Sequence, residues 1–154
     1  MTSNDTSLMQ ALQAPFPANA LKFRPGATSG NRALALPYVD SRAVQDRLDD
    51  VLGVAGWQDS YQLLPDGSAV CTLRVRIGEE WITKQDVGSP SEQPDAGDRM
   101  KSAFSDALKR AAVKFGIGRY LYRVAPLWVD YDATKKRFLK TPQLPATTPV
   151  RPAA

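Results

Sequence analysis

Seven basic residues fall between Arg99 and Arg123 (Arg99, Lys101, Lys109, Arg110, Lys114, Arg119 and Arg123), and one acid, Asp106, stands among them. That excess, seven against one, is larger than the +4 carried by the whole 154-residue chain. Lysine and arginine gathered in this way hold anions, through point charges and planar donor forks matched to phosphate or carboxylate oxygens. A helix face that only needs to stay in water mixes its signs, because opposite charges three or four residues apart support a helix. The near-absence of acids therefore favours an anion-binding face. A smaller basic set, Lys22, Arg24 and Arg32, flanks a Pro-Gly turn signal. Arg74 and Arg76 alternate with apolar residues, and Lys84 lies ten residues after Arg74.

Catalytic chemistry has little to stand on. The chain has no histidine, which removes the commonest general base, the usual metal ligand and every Ser-His arrangement. The single cysteine, Cys71, lies in an apolar run. It reads as a small core residue, and one cysteine makes neither an internal disulfide nor a multi-cysteine zinc site. Pro65-Asp66-Gly67, Glu79-Glu80 and Lys84 resemble a metal-nuclease pattern in outline. That chemistry needs an acid and a lysine two apart on one strand face, whereas Glu80 and Lys84 are four apart. These counts weigh against catalysis without excluding it, and no cofactor or metal is expected. No secretory leader or apolar run of membrane-spanning length is visible, so a cytoplasmic, nucleoid-associated protein is expected. Aromatic residues interleave with the charges: Tyr120 and Tyr122 with Arg119 and Arg123, and Trp57, Trp81 and Trp128 in or beside strands. Such residues stack on nucleobases or fill cores, and the core is the commoner use.

The elements that must position these groups follow from periodicity. Met100, Ala103, Phe104, Ala107, Leu108, Ala111, Ala112 and Phe115 recur at helical spacing, with Asp98 as the expected N-cap and Gly116 at the left-handed C-terminal position. With about 100° per residue the apolar face centres near Ala111. Lys109 then points away from it, Arg110 lies on the shoulder beside Asp106, and Lys114 emerges at the positive-preferring C-terminal end. A second helix is expected over 40–52, with Val44, Leu48, Val51 and Leu52 on one face and Asp46, Asp49 and Asp50 exposed. Strands are expected over 57–64, 69–77 and 80–87, joined by the Pro65-Asp66-Gly67 turn and a tight hairpin at Gly78. In the middle strand Cys71, Leu73, Val75 and Ile77 share one face, and Val70, Thr72, Arg74 and Arg76 the other. Residues 1–7 read as disordered, 8–12 as a helical turn, 25–30 as a loop and 32–38 as a short strand. Residues 88–97 read as a polar loop, and a last hairpin is expected over 127–140 around Asp132-Ala133-Thr134.

The expected architecture is α+β. A helix, a three-stranded antiparallel sheet and a second helix form an α-β-β-β-α unit like that of a double-stranded-RNA-binding domain, with extra short strands at both ends. The expected organisation is an N-terminal arm over 1–20, one domain over 21–140 and a disordered proline-rich tail over 141–154.

These residues also resemble a known family. Tyr38-Val39-Asp40 with its helix, ending Gly53-Val54-Ala55-Gly56-Trp57, is similar to the start of the Rad-fifty-two single-strand annealing domain, and Lys84-Gln85-Asp86-Val87-Gly88 is similar to a strand that follows. The most specific block is Ser105-Asp106-Ala107-Leu108-Lys109-Arg110-Ala111-Ala112-Val113-Lys114-Phe115-Gly116, which resembles the family's hallmark helix. Gly118-Arg119-Tyr120-Leu121-Tyr122 looks more like the bacterial and phage branch, to which phage annealases and a bacterial DNA-damage-response protein belong. The resemblance implies a non-catalytic protein of strand-break repair or recombination, forming a homo-oligomeric ring whose basic groove holds single-stranded DNA by its backbone with bases exposed for pairing. It implies Lys109 and Arg110 as the central phosphate contacts and Arg24 as the groove arginine; the other basic residues, Lys114, Lys84, Arg74 and Arg76, are second-rank candidates for DNA contact on their charge alone. The eukaryotic pattern carries a third basic residue where this chain has Val113; Lys114 is adjacent, about 100° around the helix. Two other readings of the same residues are a double-stranded RNA-binding module and, on the Glu80/Lys84 pattern, a metal-dependent nuclease.

Overall fold

Asp95 opens the longest helix of the chain: its carboxylate accepts the Asp98 amide at 2.9 Å, and α3 runs from Ala96 to Val113. The computed structural model describes residues 2–144. Among these the order is α1 (Ser3–Gln13), β1 (Lys22–Ser29), β2 (Arg32–Tyr38), α2 (Ser41–Leu52), β3 (Trp57–Leu63), β4 (Ala69–Ile77), β5 (Glu80–Gly88), α3, β6 (Leu127–Asp132) and β7 (Arg137–Phe138). The fold is mixed α+β with antiparallel sheets, and it divides into two units: residues 2–14 with Asp40–Arg119, and Pro15–Val39 with residues 120–144. The tail expected from residue 141 lies outside the described residues from 145 onward.

In the first unit β3, β4 and β5 form a three-stranded antiparallel sheet in that order. The alternation in β4 holds as expected. Cys71, Leu73, Val75 and Ile77 are buried, and Arg74 and Arg76 are exposed on the reverse face. A half-buried sheet fixes its register in this way, because a one-residue slip would put every apolar side chain in water. α3 packs across β4 and β5, α2 packs against α3, and α1 packs against α2. The buried stripe of α3 is small: Ala103, Ala107, Leu108, Ala111 and Ala112. Phe104 leaves that stripe to stack on Tyr61 of β3, with ring centroids 4.4 Å apart and planes 9° apart. Asp40 caps α2 by accepting the Ala43 amide at 2.9 Å, and Gly53 ends it at φ 77°.

Three expectations for this unit are corrected. Asp98 sits inside the first turn of α3, because Asp95 takes the capping bond; there its charge complements the helix dipole. Met100, expected on the core face, is 43% exposed, being a turn ahead of the alanines that reach the sheet. The first seven residues are not disordered as far as they are described, from Thr2 on. Thr2 and Asp5 form a capping box, with bonds of 3.0 and 3.1 Å, and α1 runs on from Ser3. Its far end is held from α2: the Arg47 guanidinium donates to the carbonyls of Leu12 at 3.0 Å and Ala14 at 2.7 Å.

Two protons are held by this core. Cys71 is fully buried, and burial pushes its thiol up to about 11. Burial first, and the Asp59 carboxylate that accepts its hydroxyl at 2.8 Å second, hold the Tyr61 phenol above its usual range. Both groups keep their protons more tightly folded than unfolded. The thiol's contribution is complete below its ordinary value of 9.0 and is lost as pH rises toward 11, while the phenol's is complete below its ordinary value of 10.0 and is lost only at higher pH. The cysteine alone accounts for about 2–3 kcal/mol across that window. Urea midpoints should fall between pH 8 and 11, and Cys71→Ala should flatten part of the fall; a flat wild-type profile would contradict this.

In the second unit β1, β2, β6 and β7 form a four-stranded sheet in that order. The expected loop over 25–30 is mostly strand. β1 pairs antiparallel with β2 from Lys22↔Tyr38 to Ser29↔Arg32, and a register shift between Pro25 and Thr28 accommodates the Pro-Gly pair. The turn itself is confined to Gly30, at φ 61°, and Asn31. β6 pairs with β2 only over Arg32–Ala35, so Pro37 lies beyond that ladder, where its missing N–H is tolerated. Ala33, Ala35, Val124 and Tyr131 are buried, and Tyr131 meets Phe138 edge-on at 5.5 Å. The Tyr120 hydroxyl accepts the Phe16 amide at 2.9 Å, which makes Tyr120 a structural residue of this unit.

Candidate nucleic-acid interface

The basic residues of the first unit lie on two sides of its sheet. Lys84 is paired with Leu73 across β4–β5, so it shares the side of the sheet on which α3 packs. Its ammonium donates to the Lys114 carbonyl at 2.9 Å and lies 5.2 Å from the centre of the Phe115 ring. Lys114 reciprocates by donating to the Gln85 carbonyl, with the Asp86 carboxylate 3.8 Å away. Two lysines thus fasten the C-terminal end of α3 to β5, one of them meeting a carbonyl the helix leaves without an internal partner. Lys84→Met should lower stability by about 1 kcal/mol, read as a small fall in Tm; an unchanged Tm would show the clasp to be idle.

One turn back along α3, Arg110 is exposed and Lys109 is half-buried. Lys109 is therefore not the most outward position that the helical wheel gives it; Arg110 is the more exposed of the two. Arg110 Nε lies 3.1 Å from Asp106 Oδ2, and the same oxygen accepts the Ser89 amide at 3.0 Å. Asp106 thus orients Arg110 and ties down the start of the loop after β5. Lys84, Arg110 and Lys114 are set beside two carboxylates, Asp86 and Asp106, along the α3–β5 layer, and Lys109 adjoins Arg110 on the helix. That arrangement can hold oxyanions strung along a backbone, and it offers no base-edge code.

Arg74 and Arg76 belong elsewhere. Arg74 lies over the Trp81 ring at 5.4 Å and donates to Gln58 at 3.1 Å; Arg76 donates to the Gly78 carbonyl at 3.2 Å. Both are on the side of the sheet away from α3. The pairing of Trp81 with Arg74 was not read from the sequence, although the strand register places them on one face, two residues apart in the ladder. Arg24 is exposed on β1, opposite Leu36, in the second unit. Of the other aromatics, Trp57 donates its indole N–H to Asp49 at 2.7 Å, while Tyr122 and Trp128 are exposed.

The nuclease pattern gains no support from the geometry. Glu80 pairs with Ile77 at the hairpin and Lys84 is turned to the end of α3. Among the described residues no three His, Cys, Asp or Glu side chains gather closely enough to hold a metal ion. Among the same residues no helix is long and apolar enough to cross a membrane.

This combination, a hallmark basic helix on a small antiparallel sheet, has a known family. The chain matches the Rad52/22 family of double-strand break repair proteins over residues 4–137, and it belongs to that family. It is 41% identical over 142 residues to the single-stranded DNA-binding protein DdrA of Deinococcus deserti, covering 91% of this chain and 69% of that one. It is 40% identical over 142 residues to the DdrA of Deinococcus radiodurans, covering 91% of this chain and 66% of that one. The chain thus spans about two thirds of the length of these curated relatives. The resemblance carried by the hallmark helix and its two companion blocks is borne out.

Proposed function

We propose that this chain binds single-stranded DNA by its phosphate backbone and anneals complementary strands in double-strand break repair. The observation that carries the reading is family membership over residues 4–137, with both named relatives described as single-stranded DNA-binding proteins. Lys109 and Arg110 are the central phosphate contacts of the first unit, and Arg24 is a phosphate contact on the second. Lys84 and Lys114 act there chiefly by holding α3 in place, with their remaining N–H groups turned to phosphate. The protein works without catalysis, cofactor or metal, as a homo-oligomeric ring in the cytoplasm around the nucleoid, and residues 21–140 act as one annealing domain. Repetition around a ring turns a modest +4 per subunit into a continuous positive path.

A three-stranded antiparallel sheet with helices before and after it in the chain supports one rival reading, a double-stranded RNA-binding module. A competition experiment separates the two. A labelled single-stranded oligonucleotide of mixed sequence is displaced by unlabelled single strand, duplex DNA or A-form RNA duplex. Single strand should compete best and independently of sequence; preferential displacement by RNA duplex would replace the annealing reading.

A further inference from the structure

The outward face of the β3–β4–β5 sheet carries cations and no acid from its own strands. The strand register puts Gln58, Ser60 and Gln62 of β3 beside Thr72, Arg74 and Arg76 of β4 and Trp81, Thr83 and Gln85 of β5. Every acid of the three strands, Asp59, Glu80 and Asp86, has the opposite parity and lies on the side of α3. The outward side chains are therefore amides, hydroxyls, two arginines and one indole, with apolar Val70 and Val87 at one end. Among the described residues no element covers this face: Gln58, Ser60, Gln62, Arg74, Arg76, Thr83 and Gln85 are all exposed. At its centre the Arg74 guanidinium lies over the Trp81 ring at 5.4 Å and is steadied by Gln58 at 3.1 Å. Gln85 is steadied in turn by Thr72 at 2.7 Å.

We infer that this sheet face is a second nucleic-acid surface, separate from the Lys109/Arg110 end of α3, and that it takes a single strand with a base against the Arg74–Trp81 stack and phosphates on Arg74 and Arg76. This inference rests on the reading of the chain as a single-stranded DNA binder. A face with cations and no acids selects a polyanion over a protein of mixed charge. An exposed guanidinium plane backed by an indole is a stacking platform for any base, and the flanking amides and hydroxyls suit sugar and phosphate oxygens without reading sequence. Two surfaces on opposite sides of one sheet let one subunit retain a strand while it meets another. A second copy of the chain seated on this face is the competing occupant.

The test uses the full chain, a 20-mer of thymidylate as probe and two variants, Arg74→Gln/Arg76→Gln and Lys109→Ala/Arg110→Ala, with thermal melts to confirm folding. Binding is read as a function of salt, and tryptophan emission is followed with and without Trp81→Phe. Arg74→Gln/Arg76→Gln should weaken capture of a second strand by protein already saturated with the first. It should also lower the slope of log affinity against log salt by about 1.4, two contacts at about 0.7 each. Probe binding should quench emission in Lys109→Ala/Arg110→Ala, and most of that quench should disappear with Trp81→Phe. If only Lys109→Ala/Arg110→Ala loses binding, the second surface is overturned and the annealing site stands. Loss in the Arg74/Arg76 variant alone supports the second surface and removes the α3 site. An Arg74/Arg76 variant that changes oligomer size while keeping capture intact assigns the face to a neighbouring copy and overturns the inference.

Discussion

Replacing Lys109 and Arg110 together by alanine should weaken binding to single-stranded DNA of every sequence by roughly 30- to 150-fold, about 2–3 kcal/mol. The two side chains sit on the last turns of α3, where alanine is a good helix former. The double variant should therefore fold, and the loss should lie in binding. Arg110 has Asp106 as its partner at 3.1 Å, so removing the guanidinium also leaves an uncompensated carboxylate beside the site, which deepens the effect toward an anion. The salt dependence should fall by about 1.4, because two fewer counterions are released from a single strand. Fluorescence anisotropy of labelled oligonucleotides at several salt concentrations measures both quantities. A loss confined to one sequence, or an unchanged slope, would show that these residues do not hold phosphate.

Gly88→Ala should have the largest effect on folding. Gly88 ends β5 against the small-residue stripe of α3. A Cβ there would meet the Ala107 amide nitrogen, the Ala103 carbonyl oxygen at 2.5 Å and the Ala107 Cα at 2.8 Å. All three are main-chain or Cα atoms of a helix that is itself packed on the sheet, so no side chain can swing aside. The strand end and α3 must separate, at a cost of about 3 kcal/mol. For a chain of this size the melting temperature should drop by roughly 6–12 °C. Circular dichroism melts of wild type and Gly88→Ala decide the matter, and a shift of a degree or less would mean the two elements are looser than they look. The glycine that closes the Lys84–Gly88 block thus has a physical reason: α3, and Lys109 with it, approaches the sheet as closely as it does only over a residue without a side chain.

Much of this was legible in the chain. The two faces of β4 follow from strict alternation of apolar and polar residues, and α2 follows from Asp40, Gly53 and one apolar stripe. The hairpins follow from Asp66-Gly67 and Gly78. What the sequence hid was held by distant partners. α1 looks too polar to fold, yet it is capped by its own Thr2 and Asp5 and clamped by Arg47 from another helix. β1 runs through a Pro-Gly pair because β2 supplies a ladder on which a register shift is tolerated. The mutual clasp of Lys84 and Lys114 depends on where the end of α3 falls against β5, which no periodicity encodes. Alternation along β4, by contrast, already set Arg74 and Arg76 on the face opposite the core residues, and α3 covers the core face. The helical wheel placed Lys109 outermost, whereas packing half-buries it and leaves Arg110 the more exposed.

The most direct test of the central claim is the annealing of two complementary labelled oligonucleotides, followed by energy transfer without nucleotide or metal, with wild type beside Lys109→Ala/Arg110→Ala. Wild type should accelerate annealing well above the spontaneous rate, and the double variant should lose that acceleration. Tight binding by wild type with no acceleration would contradict the account and leave a strand-protecting protein in its place.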